Sequence, residues 1–168
     1  YAKRREEIRA FNAASPVLKK GLALTPVKFG ISFTASFLNQ AGALVHVYTD
    51  GSIHLNHGGT EMGQGLNTKV AQVVAEVFQV DIERIQITAT NTDKVPNTSP
   101  TAASSGADLN GKAAQNAAQT IKQRLVEFAA RKWQIFEEDV EFKNGQVRLR
   151  DQYISFDELI QHAYFGQV

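Results

Sequence analysis

The sequence contains no cysteine, and this absence excludes several kinds of site. Without a thiol its 168 residues provide no disulfide, no Cys-ligated zinc, no Cys-bound iron–sulfur cluster and no thiolate nucleophile. Long hydrophobic runs are missing too, since no stretch approaches the roughly 18 apolar residues expected of a membrane span. We therefore expect neither a disulfide scaffold nor a transmembrane helix.

An excess of charge of one sign is also lacking. The 18 Lys and Arg residues nearly balance 17 Asp and Glu residues, so no strong field would attract nucleic acid or an anionic membrane. A composition of 43% hydrophobic and 21% charged residues is typical of a globular protein. The chain opens on Tyr1-Ala-Lys-Arg-Arg without Met or an apolar leader and ends abruptly at Val168. These features predict a cytoplasmic segment of something longer.

The hydropathy pattern predicts alternating helices and strands. Residues 3–14 indicate a short helix that Ser15-Pro16 ends, and residues 22–34 indicate an extended segment broken at Pro26. A strand is expected at residues 85–89, and residues 91–110 are loop-like. Two stripes at helical spacing predict amphipathic helices: Leu66, Val70, Val73, Val74, Val77 and Phe78, then, within residues 111–132, Ala114, Ala117, Ala118, Ile121, Leu125, Phe128 and Ala129.

Two hairpins and a final helix complete the predicted fold. Residues 44–57 form one hairpin, and a three-residue turn at Thr49-Asp50-Gly51 gathers Val45, Val47, Ile53 and Leu55 on one face and pairs His46 with His54 on the other. Residues 140–149 form the second hairpin, turning at Asn144-Gly145. Ser155-Phe-Asp-Glu158 is a capping box that opens the last helix, with Leu159, Ile160 and Ala163 inward.

This order predicts an α/β or α+β layered fold, in which a mixed sheet with hairpins is packed by amphipathic helices. We divide it into an entry helix and linker (1–16), a core (17–133) and a C-terminal hairpin and helix (134–168).

Two loops carry more information than the fold requires. Residues 58–65 read GGTEMGQG and lead directly into a helix, so backbone N–H groups and a positive helix end can face an anion. Residues 97–107 read NTSPTAASSGA and also precede a helix, with many small donors. On these patterns alone, a tight strand-to-helix connection explains the first loop as well as a binding site does, and an ordinary solvated loop explains the second equally well. Both loops precede helices, however, and such helix starts converge in layered domains.

Four phrases in register resemble the xanthine dehydrogenase/oxidase family of molybdenum hydroxylases. They are KFGISFT at 28–34, FLNQAGALVHVYTDG at 37–51, GGTEMGQGL at 58–66 and VPNTSPTAAS at 95–104. The similarity covers most of residues 17–133. It identifies the chain as a fragment of the larger domain that binds the molybdenum–molybdopterin cofactor.

The resemblance implies a role for particular residues. The first loop contacts the cofactor through Met62, Gly63 and Gln64, and the second cradles the pterin through Ala102, Ala103, Ser104 and Ser105. Phe33 stacks on the purine beside a hydrogen-bonding Thr34; without the resemblance, Phe33 would be read as a core residue. The phrase Ser32-Phe33-Thr34 favours purine hydroxylation over the related aldehyde oxidases.

The resemblance also implies what the chain lacks. Glu61 is a tempting general base, but the family's catalytic glutamate and its purine-binding arginine and second glutamate belong to phrases absent here. No catalytic residue and no direct metal ligand is therefore assigned. In the parent enzyme hypoxanthine or xanthine is hydroxylated to urate with oxygen from water, and electrons leave through 2Fe-2S clusters and FAD in other domains or subunits.

Several alternatives stay open. Three other interpretations fit the sequence: a non-catalytic cofactor-binding or assembly module, part of an aldehyde-oxidase-type hydroxylase, and a generic anion-binding α/β domain. His46 and His54 are read as a polar cross-strand pair rather than the start of a metal site, and His57 as a loop-packing residue. The expected partners are the rest of the subunit, the iron–sulfur and FAD parts, and a homo- or hetero-oligomer.

Overall fold

A computed structural model describes residues 1–31, 33–94 and 98–168. Ser32 and Val95–Asn97, which belong to two of the four phrases, lie outside the described residues. The chain divides into two compact units, residues 1–30 and residues 31–168.

The first unit contains the predicted entry helix. Helix α1 spans Ala2–Ala14 and ends at Ser15, whose extended backbone (φ −93°, ψ 121°) suits the residue before a proline. The chain then turns back, because the Asn12 side chain both donates to the Lys20 carbonyl (2.9 Å) and accepts from the Lys20 N–H (2.8 Å). The helix prediction is confirmed. The extended segment predicted for residues 22–34 forms no β-strand in its described part: its apolar pattern finds no paired neighbour there.

The second unit opens with a three-stranded sheet in the order β1-β2-β3. Strands β1 (Ala43–Val47) and β2 (Ile53–His57) are antiparallel, and β3 (Ile85–Ile87) runs parallel to β2. The register pairs Val45 with Leu55 and His46 with His54, and Gly51 is left-handed (φ 79°). The three-residue turn and the predicted faces are therefore confirmed.

Two long helices cover this sheet. Helix α2 (Leu66–Phe78) has the predicted bounds, and α3 (Gly106–Trp133) packs against it. Five residues of the predicted stripe of α2, Leu66, Val70, Val74, Val77 and Phe78, are buried. Helix α3 begins five residues earlier than predicted, because Gly106, Asp108 and Asn110 are residue types common in loops. The Asn110 side-chain amide donates to the Gly106 carbonyl (2.8 Å).

A second, antiparallel sheet and a last helix complete the unit. Strands β4 (Val140–Lys143), β5 (Gln146–Leu149) and β6 (Gln152–Ser155) form a meander, of which β6 was not predicted. Helix α4 (Phe156–Phe165) begins as predicted, with the Ser155 hydroxyl accepting from the Glu158 N–H (3.1 Å). Phe156 lies between Phe78 and Phe142, at ring-centroid distances of 5.7 and 6.3 Å. The fold is α+β, as predicted, with its strands divided between two sheets.

Candidate functional site

The parallel pairing of β2 and β3 brings the two sequence-predicted loops to one edge of the sheet. Each loop follows a strand and leads into a helix, so both leave the carboxyl ends of neighbouring parallel strands. Direct hydrogen bonds join the loops: the Thr60 N–H donates to Thr101 Oγ1 (2.8 Å), and Thr98 Oγ1 donates to the Gly58 carbonyl (3.4 Å). The predicted convergence of the loops is therefore confirmed.

Glu61 organises the Gly-rich loop and the start of α2. Its carboxylate accepts from the N–H groups of Gly63 (2.9 Å), Gly65 (3.0 Å) and Asn67 (2.9 Å). These donors, Asn67 first, hold the pKa of the Glu61 carboxyl below its ordinary value. The carboxylate thus caps the positive end of α2. One of the N–H groups expected to face an anion at this helix start, that of Asn67, is therefore already paired with Glu61.

Gln64 and Met62 close a turn within the same loop. The Met62 N–H donates to Gln64 Oε1 (2.6 Å), and Gln64 Nε2 donates to the Thr60 carbonyl (2.9 Å). An amide nitrogen carries two hydrogens, so Gln64 retains one donor for a ligand. Met62 is exposed. The loop therefore has a defined shape that places both side chains at its surface.

The second loop has an unusual backbone at the predicted cradle residues. Ala103 (φ 52°) and Ser104 (φ 58°) are both left-handed, a conformation that costs a residue with a Cβ about 1 kcal/mol or more. Ser105 follows; its hydroxyl donates to the Ala102 carbonyl (3.0 Å) and accepts no hydrogen bond from the first N–H groups of the helix. Two adjacent left-handed residues turn the chain sharply just before α3.

Helix α3, unlike α2, begins without a side-chain cap. Its N-cap residue is Ser105, and among the described residues no side chain accepts from the N–H groups of Gly106, Ala107 or Asp108. The start of a 28-residue helix carries a partial positive charge that favours an anion. The N–H groups at the start of α3 thus have no side-chain acceptor among the described residues, whereas Glu61 already accepts from Asn67 at the start of α2.

A cavity of about 400 Å³ lies between the loops, within the size range of small-ligand sites. Among the residues that line it, Lys69 alone is charged, and four of the predicted cofactor residues are present. The lining consists of Met62, Gln64, Leu66, Lys69, Thr101, Ala102, Ser104, Gly106 and Ala107. The other three predicted residues, Gly63, Ala103 and Ser105, do not line it.

A wider groove of about 1650 Å³ lies between α2, α3 and the β4–β5 turn. None of the predicted site residues lines it. Its four cations, Lys69, Arg84, Lys122 and Lys143, stand among the anions Glu76, Asp81 and Glu141. It lacks the helix start and convergent loops of the smaller cavity, to which we assign the site.

A buried polar cluster supports the Gly-rich loop from behind. His57 is 1% exposed and its Nδ1 accepts from the Gly59 N–H (3.1 Å), so the neutral ring carries its proton on Nε2. Neither this atom nor Asn110 Oδ1 has a hydrogen-bond partner among the described residues. Burial lowers the pKa of His57, against smaller raising effects from Asn67 and Glu61. His57 packs the loop, as predicted.

The lowered pKa of His57 makes the local stability of the sheet end that carries the Gly-rich loop depend on pH. A folded-state pKa below the unfolded value of about 6.5 means that stability is complete above that pH and declines as the pH falls through it, by at most about 1.4 kcal/mol per unit. Hydrogen exchange of the β2 and Gly59 amides, corrected for intrinsic rates, should therefore quicken between pH 7.5 and 5.5. His57→Gln should abolish this pH dependence, and the exposed His46→Gln should preserve it. Equal profiles in both variants would contradict the assignment.

The residues expected to face the purine lie on a separate segment. Phe33 is 44% exposed and Thr34 is exposed, in a loop ahead of a short 3-10 turn at Ser36–Leu38. Neither lines the cavity between the two loops. Phe33 is therefore not part of the core of the described residues.

His46 and His54 lie opposite each other across the first hairpin, as predicted. His54 Nε2 lies 2.9 Å from Thr88 Oγ1 and His46 packs edge-on against Tyr48. Within the described ranges no group of three or more His, Cys, Asp or Glu side chains is placed to hold a metal ion. Nor does any helix there combine the length and apolarity needed to cross a membrane.

The residues that sequence reasoning missed are those that join the loops. Thr60, Thr98 and Thr101 bond across 40 or 41 positions, and Thr90 Oγ1 donates to the carbonyls of His57 (3.0 Å) and Gly59 (3.2 Å). For Thr90, Thr98 and Thr101, the only signal in the sequence is the density of hydroxyl residues after β3.

Two converging loops at helix starts, joined by hydroxyl side chains over a cavity with one cation, define a small-ligand-binding α+β domain. A family model described as "Molybdopterin cofactor-binding domain" matches residues 1–168. The chain belongs to this family of molybdopterin cofactor-binding domains.

Individual relatives agree with this assignment. The chain is 59% identical to a mouse xanthine dehydrogenase/oxidase over 128 residues (76% of the chain, 10% of the relative). It is 51% identical to xanthine dehydrogenase 1 of Arabidopsis thaliana over 168 residues (100% of the chain, 11% of the relative). The resemblance to the xanthine dehydrogenase/oxidase family is confirmed, and the chain spans about a tenth of these proteins.

Solved structures give the same fold. Quinoline 2-oxidoreductase from Pseudomonas putida 86 matches with a TM-score of 0.69 at 25% identity, over 76% of this chain and 16% of that one. Reconstituted CO dehydrogenase from Oligotropha carboxidovorans matches with a TM-score of 0.70 at 26% identity, over 77% and 16%.

Proposed function

We propose that this chain forms part of the molybdenum-cofactor and purine site of a xanthine dehydrogenase that hydroxylates hypoxanthine and xanthine to urate with oxygen from water. The observation that carries the proposal is the cavity between the two loops. Four of the seven residues assigned to the cofactor from the sequence line it, although they come from segments about 40 positions apart.

The wall of the cavity suits a molybdopterin group. A pterin offers flat, hydrogen-bonding edges, for which Gln64, Thr101 and Ser104 supply polar groups and Met62 and Ala102 supply apolar contact. Its phosphate needs positive charge, which the uncapped start of α3 and the Lys69 ammonium supply. When bound, the molybdenum group supplies the redox and oxygen-transfer chemistry, and this chain's residues bind and orient it.

Phe33 and Thr34 form the proposed substrate wall. An exposed aromatic ring offers a face on which a purine stacks, and the neighbouring hydroxyl offers a donor and an acceptor. Relatives named xanthine dehydrogenase at 51–59% identity favour a purine over an aldehyde.

The proposal includes parts that lie beyond this chain. The general base, the purine-orienting arginine, the 2Fe-2S clusters and FAD belong to other segments or subunits, in a cytoplasmic homo- or hetero-oligomer. The relatives are about ten times as long as the matched region, which leaves room for these components.

Gln64→Ala tests the cofactor assignment. Removal of this side chain breaks the turn at Met62 and takes away one ligand donor, so we expect molybdenum retention to fall roughly 5- to 100-fold. Molybdenum and pterin per polypeptide are measured in the intact purified enzyme. Gln72→Ala, on the exposed face of α2, is the matched control and should retain the wild-type content. Equal molybdenum in both variants would count against the loop as a cofactor site.

A further inference from the structure

Ser99 joins the second loop to the segment that carries Phe33. Its hydroxyl accepts from the Gln40 N–H (2.8 Å) and donates to the Leu38 carbonyl, while its own N–H donates to the Gln40 carbonyl (2.9 Å). One short side chain therefore uses both its donor and its acceptor on backbone that lies 59 to 61 positions away.

Internal hydrogen bonds also hold the segment of residues 33–40 to which Ser99 binds. The Leu38 N–H donates to the Ala35 carbonyl (2.9 Å) and the Asn39 N–H to the Ser36 carbonyl (3.0 Å), which closes the 3-10 turn. The Asn39 side chain then donates to the Phe33 carbonyl (3.3 Å). A shift of residues 38–40 is thus transmitted to the backbone of Phe33.

The neighbours of Ser99 bind in the other direction. Thr98 and Thr101 bond to Gly58 and Thr60 of the Gly-rich loop, so positions 98 and 101 hold the first loop while position 99 holds the Phe33 segment. The second loop therefore links the loop beside the cofactor cavity to the segment that carries Phe33.

We infer that Ser99 is a positioning residue for substrate: it fixes the distance and angle between the Phe33 ring and the cofactor cavity without touching either ligand. The inference rests on the proposed function, because it assigns the Phe33 segment to the purine. It predicts that loss of the hydroxyl affects substrate affinity and spares cofactor retention.

The test compares Ser99 variants in the intact holoenzyme that contains this chain. Ser99→Ala removes two hydrogen bonds, so the KM for xanthine should rise by about tenfold, with kcat within about twofold of wild type and molybdenum per polypeptide unchanged. Ser99→Thr keeps a hydroxyl and should restore the KM. Ser99→Cys, a weaker hydrogen-bonding group, should give an intermediate value and carries the test if the alanine variant is unstable.

Thr101→Val supplies the contrast within the same loop. It breaks the bond to Thr60 and should lower molybdenum content, which Ser99→Ala should not. A parallel loss of molybdenum and activity in the Ser99 variants would overturn the inference by making Ser99 part of the cofactor cradle. So would an unchanged KM in Ser99→Ala when Phe33→Ala raises it. Unchanged kinetics in both variants would overturn the purine assignment itself.

Discussion

Gly59→Val should greatly lower the cofactor content of the enzyme. A Cβ at position 59 would lie 2.5 Å from Leu66 Cδ2 and 2.8 Å from Asn110 Nδ2. Both neighbours are buried, at 1% and 5% exposure, and Leu66 lines the cavity. Overpacking of this size typically costs about 1–3 kcal/mol, which would displace the loop and lower molybdenum and pterin content roughly 5- to 150-fold.

A graded pair of variants separates steric from general effects. Gly59→Ala should give a smaller loss than Gly59→Val, because its single methyl group requires a smaller shift of Leu66. Gly21→Val is the control, since a Cβ there meets nothing within 4 Å, and it should retain full molybdenum content. Normal cofactor content in Gly59→Val would mean that this loop is not part of the cofactor site.

Phe33→Ala should cripple purine turnover in an enzyme that still contains molybdenum. Stacking of a base on an aromatic side chain is worth about 1–3 kcal/mol, so kcat/KM for xanthine should fall roughly 5- to 150-fold. Phe33 does not line the cofactor cavity, so molybdenum content should stay at the wild-type value. The measurement is steady-state hydroxylation of xanthine, normalised to molybdenum.

Another phenylalanine in the same segment provides the matched control. Phe37 is 85% exposed in the 3-10 turn, and Phe37→Ala removes the same ring four positions away. Its kinetics should match the wild type, and Phe33→Trp, which keeps a stacking face, should retain most activity. Equal kinetics in Phe33→Ala and Phe37→Ala would remove Phe33 from the substrate wall.

The elements with strong periodicity could be predicted from the sequence. The stripe from Leu66 to Phe78 gave the bounds of α2, and a three-residue turn at Gly51 gave the register of the first hairpin. Strand β6 was missed because Gln152–Ser155 is short and mostly exposed. The start of α3 was placed too late, since Gly106–Asn110 resembles a loop in composition.

The two loops of the candidate site could be chosen from the sequence, but their hydrogen bonds could not be predicted. The glycines and the family phrases pointed to both loops, whereas the capping of α2 by Glu61 depends on how the loop folds back on itself. The bonds of Thr101 and Ser99 join segments 41 to 61 positions apart, and no local pattern encodes such partners. The pairing of Glu61 with Asn67 at the start of α2 therefore could not be predicted from the sequence.

A structure of the intact enzyme with its cofactor and a purine analogue tests the central claim most directly. It should show the pterin between residues 62–64 and 102–105, with its phosphate near the start of α3 and Lys69, and the purine ring against Phe33. A cofactor bound outside these two loops, with the cavity beside Gln64 and Ser104 left to solvent, would contradict the assignment.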